Sequence, residues 1–483
     1  MTFRTFRTFR PELHVTAERG ILEGPAGVIR LGGPEHRVWH MFYQYRPTPD
    51  GASRWGHDMS EGDPFSWFEC NDAIAPTDGE RHIRAGAVVG GAESDGGVDM
   101  YFTSRGPEGN TIQLARVDDV DELCEDLDED LDEDGAALSA AVSRVGVVVG
   151  DGGGFTNFRS PCVIPGWSEL DNRAGGHTGW LMLAVTGTTD DPQPVVLSSA
   201  DGREWRVDGA LEFDGDPGID LDASLVAPRL IRLRDEVDGE IYDVLFITVE
   251  RGGKDIASYI IGKLEGNRFH VVTPSQLFDY GHDFTRPRNT NYPRTAADEL
   301  QRYERAYIYG FMTNSGRAGD PTSEPNWEAE GWANALTLPR RVTLQHGHLY
   351  QVPAPGLPEA VDLAQRALMW TGLCSIPAGS DIVAEVLDAA GEPAARITHD
   401  GQHIVLDRFD GEPKTAPLHD EDEDNITIIV DGSTLEVYAG GGSVAMSSRF
   451  WPAGGASGIR TRTDGDAEIF SEWRRGHTSL GAL

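Results

Sequence analysis

The sequence predicts an all-β protein, and three observations indicate that class. Short runs rich in β-branched and aromatic residues recur along the chain; RVWHMFYQY at 37–45 and DVLFITVE at 243–250 are two of them. These runs are bounded by Gly, Asp or Pro, as strands between turns are. The 58 glycines and 28 prolines supply frequent chain reversals. No long stretch has a helical period, so a propeller or a sandwich is expected.

The chain of 483 residues is too long for one ordinary domain, and its composition changes near residue 351. The segment QVPAPGLPEAVD (351–362) is rich in proline and separates two groups of strand-like runs. After it, TLEVY alternates apolar and polar residues behind a DGS turn, which favours a hairpin in a β-sandwich. We therefore expect four segments, namely an N-terminal arm (1–10), a propeller (11–350), a linker (351–365) and a sandwich (366–483).

Charge and composition exclude two classes of partner. The net charge of −38 would repel a phosphate backbone, so no nucleic-acid partner is expected. No window approaches the roughly eighteen apolar residues of a membrane span. The N-terminal MTFRTFRTFRPEL lacks the apolar core of a signal peptide. We therefore expect no membrane association and a cytoplasmic location, while the oligomeric state is left open.

Neither the cysteines nor the acidic residues form a recognisable metal motif, so no metal and no cofactor are expected. The four cysteines match no zinc spacing and are too few for a disulfide framework, so we expect reduced thiols. They are Cys70, Cys124, Cys162 and Cys374. The acidic block DDVDELCEDLDEDLDEDG (118–135) is typical of a solvated surface insertion. Clustered carboxylates suit Ca²⁺, but the block lacks the glycine and ligand spacing of a calcium loop.

A series of motifs runs through the chain in a fixed order. It begins with RPELHV, GILEGPAGV, HMFYQYRP, RWGHDMS and FSWFECNDAIAP, and continues with NFRSPCV, LVAPRLIRL, DYGHDFTRPRNT and EGWANALTLPRRVTL. In order and spacing this series resembles glycoside hydrolase family 32, the invertases, levanases and inulinases. The resemblance implies a five-bladed β-propeller followed by a β-sandwich. It also implies a small carbohydrate partner, of sucrose or fructose type or a modified sugar, in a pocket at the propeller axis.

The catalytic positions of the family carry no carboxylate in this chain. Retaining glycoside hydrolysis needs a carboxylate nucleophile and a carboxylic acid about 5–5.5 Å apart. The family's W-M-N-D-P-N-G motif places its nucleophile at Gly24, its F-R-D-P motif places a third carboxylate at Ser160, and its E-C-P motif places the acid at Val226. We therefore predict a homologue of the β-fructofuranosidases that binds carbohydrate without hydrolysing it.

Two alternatives remain open at this point. The chain can be an active glycosidase that uses displaced carboxylates, and Glu23, Asp222 and Asp283 are the substitutes to consider. Glycine at 24 would permit the local rotation that Glu23 requires. The second alternative is a propeller that serves only as a structural or interaction module.

Four residues at motif positions are candidates for binding the ligand. By resemblance, Gln44 offers an amide to sugar hydroxyls and Trp55 offers a flat apolar face to the ring. Arg159 lacks the aspartate of the family motif at position 160, and it can pair with a carboxylate or phosphate of the ligand. Asp283 matches the second aspartate of the D-Y-G-x-D-F motif.

Overall fold

The computed structural model describes residues 9–32, 36–91, 97–125, 137–165, 179–291, 303–313, 320–419 and 422–476. Most of its regular structure is β-strand, which confirms the all-β prediction. The N-terminal part contains β1 (Gly20–Leu31), β2 (Val38–Arg46), β3 (Arg54–Glu61), β4 (Phe68–Glu69), β5 (His82–Gly90), β6 (Val98–Gly106), β7 (Gly109–Val117), β8 (Ser143–Val149), β9 (Arg159–Pro165), β10 (Trp180–Gly187), β11 (Pro192–Ser199), β12 (Arg206–Ala210), β13 (Glu212–Asp214), β14 (Ser224–Arg234), β15 (Ile241–Arg251), β16 (Lys254–Glu265), β17 (Arg268–Leu277), β18 (Thr285–Asn291), β19 (Ala306–Met312), β20 (Trp332–Ala333), β21 (Ala335–Leu336), β22 (Arg340–Gln345) and β23 (His348–Pro353). The short helices are α1 (Glu122–Glu125), α2 (Pro325–Glu330) and α3 (Leu357–Leu363), with 3-10 turns at Pro321–Ser323 and Gly440–Gly442.

The N-terminal strands form a β-propeller. Antiparallel runs of four strands follow one another, as in β5-β6-β7-β8 and β12-β11-β10-β9. Their first strands contact each other in a ring, β1 with β5, β5 with β9, β9 with β14 and β14 with β18. The ring closes because β18 pairs in parallel with β1. Apolar side chains fill the space between adjacent runs. The count of five blades stays a prediction.

The C-terminal strands form the predicted sandwich. One sheet has the order β31-β30-β29-β24-β33 and the other β28-β27-β26-β25-β32. Their facing apolar side chains make one core around Trp370. The DGS turn joins β29 to β30 as predicted. The strands are β24 (Ala367–Ser375), β25 (Asp381–Asp388), β26 (Pro393–His399), β27 (His403–Asp407), β28 (Lys414–Pro417), β29 (Ile426–Asp431), β30 (Thr434–Ala439), β31 (Val444–Arg449), β32 (Ala456–Asp464) and β33 (Glu468–Gly476).

A buried ionic cluster joins the propeller to the sandwich. Arg340 on β22 donates to Asp279 Oδ2 at 2.7 Å and to Glu436 Oε2, on sandwich strand β30, at 3.2 Å. The imidazole of His14 lies between Asp431 Oδ2 at 2.8 Å and Glu436 Oε1 at 3.1 Å. Burial opposes the charge of Glu436, but the hydrogen bond from His14 and the charge of Arg340 lower its pKa to about 2. Parts of the RPELHV and DYGHDF motifs therefore hold the two domains together.

One cysteine pair departs from the expectation of reduced thiols. Cys70, which follows β4, and Cys124, in α1, form a disulfide with their Cα atoms 5.2 Å apart. The expectation was wrong for this pair because 54 residues separate the two cysteines, and only the fold brings them together. Cys162 and Cys374 are free thiols.

The acidic block is only partly described, since residues 126–136 lie outside the described residues. In its first part, the apolar Val120 and Leu123 are buried in the propeller core. This part of the block is therefore anchored to the propeller. Over the described residues, no helix is long and apolar enough to cross a membrane.

Candidate carbohydrate-binding site at the propeller axis

The first strand of a propeller run is irregular close to the axis. The register shifts between Leu22 and Gly24 on β1, between Arg84 and Gly86 on β5, and between Val226 and Arg229 on β14. Such bulges re-aim side chains and are frequent at binding sites. The backbone φ is positive at Gly24 (144°), Ser160 (56°), Ala227 (49°) and Arg286 (50°). The positions that the motifs predict for the family's carboxylates, Gly24, Ser160 and Val226, therefore lie at or beside these irregular points.

Glu23 is held firmly beside Gly24. Its carboxylate accepts hydrogen bonds from Ser53 Oγ at 2.6 Å and Gln44 Nε2 at 2.5 Å, and it forms an ion pair with Arg46, whose Nε lies 2.9 Å away. A Cβ added at Gly24 would meet nothing closer than the Phe311 ring at 3.9 Å, but its φ disfavours any side chain. The site thus has a carboxylate at position 23 and empty space at position 24.

Gln44 and Trp55 make hydrogen bonds that link the strands around Glu23. The Gln44 side chain accepts from the Ala85 N–H at 2.8 Å, so it links β2 to β5 as well as to Glu23. Trp55 is fully buried, and its indole N–H donates to the Arg84 carbonyl at 3.0 Å. Contrary to the sequence expectation, Trp55 offers no face to a sugar because its ring lies in the core between blades.

The Arg159 side chain is hydrogen-bonded to backbone carbonyls. Its guanidinium donates to the carbonyls of Asn157 (3.1 Å), Gly187 (2.7 Å) and Thr188 (2.9 Å). Burial lowers the pKa of Arg159, and the nearby Glu250 carboxylate raises it. With three carbonyl partners, Arg159 has limited capacity left for a ligand.

Glu250 lies across the strand pair from the lost acid position. Val226 on β14 faces Thr248, and Ser224 faces Glu250 at the end of β15. Glu250 accepts from Arg286 Nη2 at 3.2 Å, and Arg286 Nε lies 3.3 Å from Asp255. Burial raises the pKa of Glu250, while the charge of Arg286 opposes that rise.

Arg84 presents the unpaired cation of this region. Its side chain is exposed, and among the described residues its guanidinium makes no hydrogen bond or ion pair. Burial and the charge of Arg105 lower the pKa of Arg84, but an arginine stays protonated at neutral pH. Charges of Glu23, Arg286 and Arg46 also act on Arg84, so these groups lie close together. We call the following set the axial charge cluster: Glu23, Arg46, Arg84, Arg159, Glu250 and Arg286.

The other two proposed substitutes lie elsewhere. Asp283 is fully buried between the domains, where it accepts from Arg408 and from the Arg449 N–H at 2.8 Å. It is therefore a domain-interface residue and not a pocket carboxylate. Asp222 lies on the exposed turn before β14, and its N–H donates to Asp220 at 3.1 Å. Within the described part of the chain, no hydrogen bond or ion pair joins it to the axial charge cluster.

A propeller joined to a sandwich, with family motifs on the strands around its axis, defines the glycoside hydrolase class. The chain belongs to glycosyl hydrolases family 32: residues 14–353 match the family's N-terminal domain and residues 395–474 match its C-terminal domain.

The comparison with individual proteins agrees over nearly the whole chain. A sucrose-6-phosphate hydrolase of Bacillus subtilis is 25% identical over 506 residues, which covers 95% of this chain and 92% of the relative. The exo-inulinase of Aspergillus awamori has a TM-score of 0.72 at 17% identity, covering 98% of each chain. The sucrose-6-phosphate hydrolase of Lactobacillus gasseri has a TM-score of 0.71 at 18% identity, covering 97% of this chain and 92% of the other.

Proposed function

We propose that this chain binds an anionic carbohydrate, such as a sugar phosphate, at the propeller axis without hydrolysing it. One observation carries the proposal. The motifs align the family's three carboxylates with Gly24, Ser160 and Val226, and the Arg84 guanidinium makes no hydrogen bond or ion pair with any described residue. In this proposal, a cation that can bind the ligand stands in place of the carboxylates.

The loss of the carboxylates removes the family's chemistry. A retaining glycosidase needs a nucleophile and an acid on opposite sides of the scissile bond, and each contributes orders of magnitude to the rate. Glycine and valine can neither bond to the sugar nor donate a proton. Glu23 is next to the nucleophile position, but two hydrogen bonds and the ion pair with Arg46 direct its carboxylate toward β2 and the start of β3.

The arginines favour a negatively charged ligand. A guanidinium forms strong paired hydrogen bonds with phosphate or carboxylate. Several relatives in the comparison are sucrose-6-phosphate hydrolases, which supports a phosphorylated sugar. A cytoplasmic location, expected from the N-terminal sequence, is part of this proposal.

The test is a thermal-shift panel of matched neutral and phosphorylated sugars. Sucrose is compared with sucrose 6-phosphate, and fructose with fructose 6-phosphate, with inorganic phosphate as the control for a bare anion. A ligand at a hundred times its Kd stabilises the folded state by about 2.7 kcal/mol. We expect the phosphorylated sugars to raise the Tm more than their neutral partners and more than phosphate. Equal shifts within each pair would refute the anionic preference.

A second candidate, an active glycosidase, is favoured by the pair Glu23 and Glu250. Glu23 is adjacent to the nucleophile position in the chain, and burial raises the pKa of Glu250, as suits an acid. An assay of reducing-sugar release tests this candidate. If the pair is catalytic, the protein releases reducing sugar, and both Glu23→Gln and Glu250→Gln abolish the release.

A further inference from the structure

Two cysteines and a histidine meet at the edge of the first propeller run. The Sγ atoms of Cys70 and Cys124 and a ligand nitrogen of His57 all lie within 4.8 Å of one another. Cys70 is placed by β-pairing, because its N–H donates to the His57 carbonyl at 2.8 Å. Cys124 approaches from α1, and its Sγ lies 3.9 Å from His57 Nδ1. Strand β3, the residue after β4 and helix α1 thus bring two sulfur atoms and one imidazole nitrogen together.

The imidazole of His57 is held in one orientation. Its ring is fully buried and stacks on Phe42, with ring centroids 4.4 Å apart and planes 9° from parallel. His40 lies beside it, with the ring centroids 5.3 Å apart and the planes 16° from parallel. A buried ring held by these two neighbours presents its Nδ1 to the sulfur atoms without further ordering.

Hydrogen bonding between His57 and His40 favours the His57 tautomer that leaves Nδ1 free to bind a metal ion. His57 Nε2 lies 3.1 Å from His40 Nδ1, and His40 Nε2 lies 4.0 Å from the Asp121 carboxylate. Among the described residues, His40 Nε2 has no hydrogen-bond partner. The carboxylate favours a proton on His40 Nε2. His40 Nδ1 is then an acceptor, so His57 carries its proton on Nε2 and a lone pair on Nδ1. Ligating histidines commonly use such an outer partner.

We propose that Cys70, Cys124 and His57 bind a thiophilic divalent cation, Zn²⁺, when the disulfide is reduced. Two thiolates and an imidazole are a zinc ligand set. With zinc bonds of about 2.3 Å to sulfur and about 2.0–2.1 Å to nitrogen, tetrahedral sulfur and nitrogen ligands stand roughly 3.6 Å apart. The 3.9 Å between Cys124 Sγ and His57 Nδ1 is close to that spacing.

The disulfide and the metal are mutually exclusive occupants of this site. A dithiol reductant supplies two electrons and two protons to the Cys70–Cys124 bond, which gives two thiols and the oxidised reductant. Zn²⁺ binding then releases the two thiol protons, because thiolates are the ligands. A cytoplasmic thiol pool favours the dithiol form, since disulfides seldom persist there. The bound ion would tie α1, where the acidic block begins, to β3.

The test uses the full chain without an affinity tag, reduced by dithiothreitol, freed of reductant under nitrogen and titrated with Co²⁺ and then Zn²⁺. We expect one Co²⁺ per chain, with thiolate-to-cobalt charge transfer and the intense visible bands of a tetrahedral ion. Zn²⁺ should displace Co²⁺ and raise the Tm of the reduced protein, while the oxidised protein binds neither ion at this site.

Variants identify the ligands. Cys124→Ser should lose the charge-transfer band, whereas Cys374→Ser, which removes a free thiol of the sandwich, should keep it. Far-UV circular dichroism checks that each variant is folded. Absence of the band in the reduced protein, or its persistence in Cys124→Ser, would overturn the proposal. Neither result bears on sugar binding, because the axial charge cluster contains none of these residues.

Discussion

Replacing Arg340 with methionine should lower the free energy of unfolding by about 3–5 kcal/mol, because it leaves buried carboxylates without their cation. The Arg340 guanidinium is fully buried and bridges Asp279 of the propeller to Glu436 of the sandwich. Methionine fills much of the same volume, so the loss reports the charge and its hydrogen bonds more than a cavity. His14 then remains a hydrogen-bond partner of Glu436.

The measurement is equilibrium unfolding in urea at constant salt, followed by tryptophan fluorescence and circular dichroism. Urea carries no charge, so it leaves the self-repulsion of the −38 chain unscreened by the denaturant. Arg206→Met is the matched control: this arginine is 80% exposed and should change stability by no more than about 0.5 kcal/mol. A loss below about 1 kcal/mol for Arg340→Met would contradict the role given to the cluster.

Replacing Arg84 with alanine should weaken binding of a phosphorylated sugar by about 10- to 100-fold, which corresponds to the 1.5–3 kcal/mol of a charged hydrogen bond. Arg84 is the axial arginine whose guanidinium has no partner among the described residues. Because the Arg84 guanidinium has no partner among the described residues, we expect Arg84→Ala to change the free energy of unfolding little. A neutral sugar should lose much less affinity, because it has no group that requires the cation.

Calorimetric titration measures this effect, with sucrose 6-phosphate and sucrose as the paired ligands. Arg84→Lys should recover part of the affinity, since an ammonium keeps the charge but not the paired geometry. Arg206→Ala, on the outer strand β12, is the control and should bind as the parent does. Unchanged affinity for the phosphorylated sugar in Arg84→Ala would remove Arg84 from the site.

Most of the fold could be predicted from the sequence because its signals are local. Alternating apolar runs such as those around Phe42 and Phe246 indicate strands, and the DGS turn indicates a hairpin. The order of the motifs then identified the propeller and the sandwich. What could not be read locally was contact across the chain, such as the pairing of Cys70 with Cys124 over 54 residues.

The site was predictable in position but not in its contacts. Gly24, Ser160 and Val226, which the motifs single out, lie on β1, β9 and β14, and their correspondence to the family's carboxylates stays a prediction. The motif of Asp283 could not reveal that its carboxylate pairs with Arg408, 125 residues later and in the sandwich. The motif of Trp55 likewise could not reveal that its ring is buried, because the burial depends on side chains of the neighbouring blade.

Four residues of the axial charge cluster escaped sequence reasoning: Arg46, Arg84, Glu250 and Arg286. Arg84 and Glu250 belong to no conspicuous motif, and only strand register brings them to the site. Arg286 did carry a signal, because it stands within DYGHDFTRPRNT where the family motif ends in alanine. A charged residue at a small-residue position of a pocket motif indicates a change of ligand.

Proton NMR of sucrose 6-phosphate incubated with the protein tests the central claim most directly, because one set of spectra reports both binding and hydrolysis. We expect the sugar resonances to broaden on addition of protein, while no anomeric signals of free fructose or glucose 6-phosphate appear. The spectra of Arg84→Ala should show sharp resonances. Product signals that grow with protein concentration and vanish in Glu250→Gln would contradict the claim and establish the chain as a glycosidase.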